Sequence, residues 1–345
     1  MLNQIVREDL KFITNSDNPW NILEGKTILI SGANGFLPSY MVKTILYLNE
    51  TQFKDKTKII GMVRNENKAL KQFPEKSEDL ILYIQDVCQP FKSIRDVDFI
   101  VHAASQASPK YYNKDPVGTL CPNVIGTYYL LELARKTEVE GFLYFSSGEV
   151  YGEPRKVPTR EHDYGYLDPT TIRSCYAESK RMGENMCNSW FKQYGVPVKI
   201  VRPFHTYGPG MNLDDGRVFA DFVSDIVNRR NIIVKSSGEA RRAFCYLADA
   251  VSGYFTVLFK GKDGEPYNVG NDNGEISVID LAEKLVNMYS EYGLKVLKKP
   301  RNDINYLESK IQRSCPDISK IRSLGWEPYY SIEEGFKRTI ESYKI

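Results

Sequence analysis

The sequence predicts an α/β fold: a doubly wound parallel sheet with a smaller mixed α/β lobe at the C-terminal end. Three observations carry this. Short apolar runs alternate with stretches of helical periodicity from residue 26 to residue 203. The first run stops on a glycine turn that opens into a helix. Polar residues fit for chemistry fall just past the ends of these runs, where open α/β sheets gather their sites.

At 345 residues the chain can bury a large core, as one big domain or two unequal ones. Its 46 basic and 44 acidic residues nearly cancel, without a block of like charge, which argues against a nucleic-acid partner. The cysteines at 88, 121, 175, 187, 245 and 315 include no C-x-x-C pair and no nearby histidine. Neither a metal site nor a disulfide framework is expected, and a reducing cytoplasm fits. No apolar run reaches the roughly 18 to 20 residues of a membrane span.

Residues 1–25 stand apart as an N-terminal extension. Ile5, Val6, Leu10, Phe12 and Ile13 fit one amphipathic helix, suited to packing, to an oligomer contact or to a mobile arm. The first strand, 26–30, runs into Ser31-Gly32-Ala33-Asn34-Gly35, and Phe36, Tyr40, Met41, Thr44, Ile45 and Leu48 then mark a helix. Strand, glycine turn and helix in that order present backbone N–H groups and a positive helix end to a pyrophosphate. Gly32, Asn34, Gly35, Phe36 and Leu37 are therefore cofactor candidates. Pro38 stands where a third glycine is usual, and a first helical turn tolerates it because its missing N–H has no acceptor there.

The second strand, 58–63, ends at Arg64, where an acidic residue would hold the ribose 2′-hydroxyl of NAD. A guanidinium suits a 2′-phosphate, which tilts the expectation toward NADP. Strands at 80–84 and 98–101 follow. Asp86 and Val87 come after the first of these, and His102, Ala103, Ala104 and Ser105 after the second, small residues that let a cofactor approach the backbone. His102 itself reads as a packed residue. Residues 123–135 form a helix with Val124, Tyr128, Leu131 and Ala134 in register, 141–145 is the fifth strand, and 198–202 the sixth, ending at Pro203. From 204 the rhythm loosens. Asp214 to Arg217 opens a helix, 267–270 is a short strand, and helices follow near 277–289 and 331–343. This gives a lobe over 204–345 interleaved with the sheet domain of 26–203.

The fifth strand leads into Ser146-Ser147-Gly148-Glu149-Val150-Tyr151-Gly152, so Ser147 and Glu149 stand at a carboxyl end. Tyr176 and Lys180 lie four residues apart on one face of the next helix. An ammonium beside a phenol favours the phenolate and lowers its pKa, which makes a usable general base.

Together, G-A-N-G-F-L at 32–37, H-A-A-S at 102–105, S-S-G-E-V-Y-G at 146–152, Y-A-E-S-K at 176–180 and R-P-F-H-T-Y-G-P at 202–209 carry a resemblance. The chain resembles the extended short-chain dehydrogenase/reductases of the nucleotide-sugar epimerase and dehydratase family, over nearly its whole length after residue 25. Ala107-Ser108-Pro109, Arg173-Ser174-Cys175-Tyr176, Lys180-Arg181, Asp215-Gly216-Arg217-Val218, Arg242-Ala243-Phe244 and Pro316-Asp317-Ile318 are similar to the UDP-glucuronate decarboxylase subgroup.

The resemblance implies a Rossmann sheet that retains NAD(P) tightly. It implies that Tyr176 takes the sugar 4-hydroxyl proton as hydride leaves C4, that Lys180 holds the nicotinamide ribose and tunes Tyr176, and that Ser147 shares the same sugar oxygen. Ser108, Glu149, Arg173, His205 and Val218 would meet the substrate, and Arg217 and Arg242 carry planar forks suited to its diphosphate. A homodimer would form through a four-helix bundle of the helices at 123–135 and 176–194.

The 4-ketone has more than one outcome. A sugar with a C6 carboxylate becomes a β-keto acid that loses carbon dioxide, whereas a C6 hydroxymethyl sugar can turn over and epimerise at C4. Family 4,6-dehydratases carry an Asp-Glu pair after the Ser or Thr, and here Gly148 and Glu149 stand there, which disfavours dehydration. Decarboxylases carry Ser before that Glu, so Gly148 also removes a candidate proton donor to C5. His205 replaces a common Asn and brings a larger, titratable donor. Decarboxylation leads, with 4-epimerisation as the alternative. A non-catalytic dinucleotide-binding sensor is the remote third reading, since Ser147, Tyr176 and Lys180 stand together.

Overall fold

The structure, a computed structural model, describes residues 3–74, 77–91, 94–299 and 311–344. Met1 and Leu2 of the extension lie outside the described residues. In chain order the strands are β1 (Thr27–Ser31), β2 (Lys58–Val63), β3 (Leu80–Ile84), β4 (Phe99–His102), β5 (Gly141–Phe145), β6 (Val198–Pro203), β7 (Thr206–Tyr207), β8 (Ile232–Val234), β9 (Arg241–Ala243), β10 (Cys245–Tyr246), β11 (Pro266–Val269), β12 (Glu275–Ser277), β13 (Val296–Lys298) and β14 (Arg313–Ser314). The helices are α1 (Gln4–Thr14), α2 (Phe36–Thr51), α3 (Glu66–Gln72), α4 (Pro116–Cys121), α5 (Thr127–Thr137), α6 (Cys175–Tyr194), α7 (Val218–Val227), α8 (Leu247–Lys260), α9 (Val278–Met288), α10 (Ser319–Arg322) and α11 (Ile332–Glu341).

Seven strands form the central parallel sheet in the order β11-β6-β5-β4-β1-β2-β3. Strand order reverses between β1 and β4, which opens a crevice at their carboxyl ends. Every residue of β4 and β5 is buried, as expected where helices cover both faces of a parallel sheet. One face packs Leu29, Ile100, Phe142, Tyr144 and Ile200 into a core with Leu131 of α5 and Cys187 of α6. The other face joins a larger core that runs from Val6 of α1 to Ile340 of α11. The extension is thus packed into the main core: Val6, Leu10 and Ile13 are buried, and Phe12 lies against the rings of Tyr329 and Tyr330.

Among the elements that differ from the sequence reading are three that shape the core. The helix expected at 123–135 is a π turn over Pro122–Gly126 followed by α5, because Pro122 has no N–H to continue the ladder from α4. The strand near 267–270 is β11 and belongs to the central sheet, where it pairs with β6 and its Pro266 is tolerated on an edge. The helix α8, not foreseen, is buried at every position from Leu247 to Leu258. Its polar residues Asp249, Ser252 and Thr256 recur at i, i+3 and i+7 on one face, and that face is buried as well.

Candidate active site

A cavity of about 340 Å³ opens at the carboxyl ends of β4, β5 and β6 and reaches the start of α2. On its cofactor side, Gly32 has φ +68°, and a Cβ there would stand 2.8 Å from the Cα of Ala104. No larger residue lets the β1 turn pass so close to the end of β4. Ser31 Oγ accepts the N–H groups of Ala103 at 3.1 Å and Ala104 at 3.2 Å and lies 2.8 Å from His102 Nδ1. With both lone pairs engaged its proton goes to Nδ1, so Nε2–H of His102 donates to Pro122 O at 3.1 Å. Burial first, then the Lys180 charge, lowers His102 to about 3, and this neutral ring is the packed residue expected.

Phe36 and Leu37 begin α2 and line the cavity with N–H groups that have no intrahelical acceptor. Nearby, the buried Ser105 Oγ has no hydrogen-bond partner among the described residues. A glycine turn that admits close approach, unspent donors at a helix start and an orphaned hydroxyl fit a dinucleotide. Gly35, Phe36, Leu37, Ala103, Ser105 and Pro203 line the cavity, whereas Gly32, Asn34, Arg64, Asp86, Val87 and Ala104 do not. Arg64 differs from its reading in one respect. Arg64 itself directly follows β2, and Asp86, beyond β3, stands 3.9 Å from Arg64 Nη1. Strands adjacent in the sheet supply neighbours that position along the chain does not reveal.

On the reaction side, Ser147 begins the turn after β5, accepts the N–H of Glu149 at 3.1 Å and stands near enough to the phenol of Tyr176 to favour its ionised form. Lys180 Nζ donates to Phe145 O at 2.6 Å and lies 5.1 Å from the Tyr144 ring and 5.8 Å from the Tyr176 ring. The phenol pKa is raised where the spacing leads one to expect depression. Burial, with Glu149 in support, pushes Tyr176 up to about 12, against the lowering by Ser147 and Arg217. Burial likewise lowers Lys180 to about 7. In the chain without ligands, Tyr176 holds its proton.

Glu149 lines the cavity and its Oε2 stands 3.6 Å from Arg173 Nη2. Arg173 also lies over the Tyr112 ring at 5.5 Å, and Tyr112 stacks on Tyr176 with centroids 5.3 Å apart and planes at 14°. Tyr112 was missed from sequence, although it follows the Ser108-Pro109 step that drew attention. Ser108 does not line the cavity: its hydroxyl donates to Asp215 O at 2.6 Å and ties two loops together. Arg217, paired with Asp215, and Val218 do line it. So does Arg242, which donates to Ile311 O at 2.8 Å.

His205 is not the titratable donor expected. Burial, then Arg242 and Arg217, lowers it to about 3, so the imidazole beside these guanidiniums is neutral. Gly148 backs onto Phe204, whose ring a Cβ would meet at 3.3 Å.

An open α/β sheet whose switch-point crevice carries Ser, Tyr and Lys beside a dinucleotide cradle defines an oxidoreductive enzyme of the extended short-chain dehydrogenase/reductase class. The chain belongs to the NAD dependent epimerase/dehydratase family, whose model matches residues 28–270. It is 35% identical to UDP-glucuronic acid decarboxylase 3 of Arabidopsis thaliana, over 92% of this chain and 89% of that one. It is 34% identical to UDP-glucuronic acid decarboxylase 1 of Xenopus tropicalis, over 97% of this chain and 74% of that one. Among solved structures, UDP-glucose 4-epimerase of Thermotoga maritima superposes with a TM-score of 0.76 at 25% identity, covering 92% of this chain and 98% of that one.

Proposed function

We propose that this enzyme oxidises a nucleotide sugar transiently at C4, with UDP-glucuronate as substrate and loss of its C6 carboxylate as the outcome. The observation that carries the reading is one cavity that joins Ser147 and Tyr176 to Arg173, Arg217 and Arg242, in a chain similar to UDP-glucuronic acid decarboxylases. Bound NAD supplies the acceptor, and later the donor, for the hydride at C4. Gly35, the N–H groups of Phe36 and Leu37, and Ser105 would hold it.

Tyr176 holds the 4-hydroxyl proton at its phenol oxygen, and Ser147 hydrogen-bonds the same sugar oxygen. With the phenol up at about 12, transfer needs added positive charge at the phenol, where Arg217 already acts in that direction. Once C4 is a ketone, the C5–C6 bond breaks and its electron pair becomes an enolate on the C4 oxygen, which Ser147 and Tyr176 face, while carbon dioxide departs. C5 then takes a proton that Gly148 cannot give. Arg217 and Arg242 present forks to the diphosphate, with the neutral His205 beside them.

Mass spectrometry of the protein with NAD and UDP-glucuronate tests this, and a product lighter by one carbon dioxide is the expected result. A product of unchanged mass inverted at C4 would overturn decarboxylation and establish 4-epimerisation, the outcome that Gly148 favours.

The cofactor reading extends to NADP. Arg64 supports it and Asp86 opposes it. By calorimetry, Arg64→Ala is expected to weaken NADP binding about tenfold and NAD binding less than about twofold; equal losses would remove the preference.

The dimer reading places α5 and α6 against a second copy as a four-helix bundle. The exposed Ile125 before α5, Tyr128 on it, and Met182 and Tyr194 on α6 support it. Met182→Glu is expected to turn a dimer into a monomer in sedimentation equilibrium, and an unaltered dimer would place the contact elsewhere. The six free cysteines support a cytoplasmic setting. Among the described residues no helix is long and apolar enough to cross a membrane.

A further inference from the structure

Behind the cavity, where α6 faces the sheet, lies a buried ion pair that the reaction as derived does not use. Glu184 accepts Arg202 Nε on Oε1 at 2.8 Å and Arg202 Nη2 on Oε2 at 2.6 Å, a fork meeting a fork. The Arg202 side chain is fully buried, and Glu184 is nearly so. The Ser146 hydroxyl donates to Glu184 Oε1 at 2.5 Å. The remaining N–H groups of Arg202 go to Tyr151 OH at 2.8 Å, Glu161 O at 2.7 Å and Tyr164 OH at 2.5 Å. No donor of the guanidinium is left over, so the group has a single orientation.

The places of these residues in the chain matter more than their number. Glu184 follows Lys180 by one helical turn and Tyr176 by two, so the three share a stripe of α6. Ser146 immediately precedes Ser147, and Arg202 immediately precedes Pro203, a wall of the cavity. One carboxylate therefore ties α6, the turn after β5 and the end of β6 together at positions next to those that meet the ligands. Stability alone does not explain such a pair, because a well-packed apolar pair of similar volume is commonly as stable or more so. Fixed direction is what the ion pair adds.

We propose that Glu184, clamped by Ser146 and Arg202, is a positioning residue for the reaction: it fixes the rotation and depth of α6 and so aims Tyr176 and Lys180 at the turn that carries Ser147. It also contributes charge. Lys180 is faced by Tyr176, Cys187 and Glu184 from its own helix, by Tyr144 and Phe145 O from β5, and by His102 from β4. Glu184 is the carboxylate of this set, and it favours the ammonium.

The proposal rests on the reading that Tyr176 carries the proton step, so one arm of its test is independent of substrate. In Glu184→Gln the NMR titration of the Lys180 Cε, assigned through Lys180→Arg, is expected to move to lower pH, and kcat/KM for UDP-glucuronate, measured well below a thermal midpoint that itself drops because Arg202 loses its buried counter-charge, is expected to fall about tenfold or more. The double variant Glu184→Met with Arg202→Met keeps a packed, uncharged interior. It is expected to lose about a hundredfold in kcat/KM, the scale of a misplaced reacting group. Either variant turning over within about threefold of wild type would overturn the proposal. A Lys180 midpoint unmoved in Glu184→Gln would overturn it as well. A wild-type chain inert toward UDP-glucuronate would count against the substrate reading, while the NMR arm would still decide the coupling.

Discussion

Tyr176→Phe is expected to lower turnover of UDP-glucuronate by about 10²–10⁴ while leaving fold and cofactor binding in place, the range that removal of a positioned acid or base produces. The ring stays, and with it the stacking on Tyr112, so only the phenol oxygen is lost. On the proposed reading Ser147 would still hydrogen-bond the sugar 4-hydroxyl, but the acceptor of that hydroxyl's proton would be gone. Initial rates with UDP-glucuronate, alongside calorimetry of NAD, separate the two effects. A variant within about tenfold of wild type would show that the proton leaves by another route. The pH dependence has a definite sign. Burial raises the phenol, so the base form is scarce at neutral pH, and kcat/KM is expected to rise with pH along its acid limb.

Arg338→Ala is expected to cost about 3 kcal/mol of stability at about pH 8, because it strips the partner from a buried carboxylate. Asp9 of α1 is fully buried and accepts Arg338 Nη2 at 2.8 Å, Tyr246 OH at 2.8 Å and Tyr40 OH at 3.3 Å. Burial nevertheless pushes it up to about 6 from an ordinary 3.8. Folded Asp9 therefore binds its proton more tightly than unfolded Asp9, and its contribution to stability declines as pH rises between those two values. Arg338 limits that decline. Without it the folded value rises further and the loss deepens toward high pH. Asp249, raised to about 7 and influenced by Asp9, carries a dependence of the same sign. Urea unfolding at about pH 5 and about pH 8 checks the prediction, and a cost equal at the two would show that Arg338 acts through packing instead.

Much of the site was legible in the chain because its parts are local. The glycine turn between β1 and α2 is one stretch of sequence, Tyr176 and Lys180 are one helical turn apart, and Ser147 and Glu149 sit directly after an apolar run. The strand boundaries of the sheet likewise follow from runs of apolar residues. What the chain concealed depends on residues far apart along it. Asp86 reaches Arg64 through pairing of β3 with β2, Arg173 reaches Glu149 across the cavity, and Glu184 reaches Arg202 through packing of α6 on β6.

The sequence by itself determined the fold class, the glycine turn after β1 and the candidate side chains that the cavity brings together, since periodicity and spacing report what lies within a turn or a strand. Only the tertiary structure decided the state of those side chains. A phenol four residues from a lysine reads as an activated base, but the folded chain aims the ammonium at the carbonyl of Phe145 and buries the phenol until its proton is held. Burial is set by what packs over a group, and ionisation follows burial before it follows spacing.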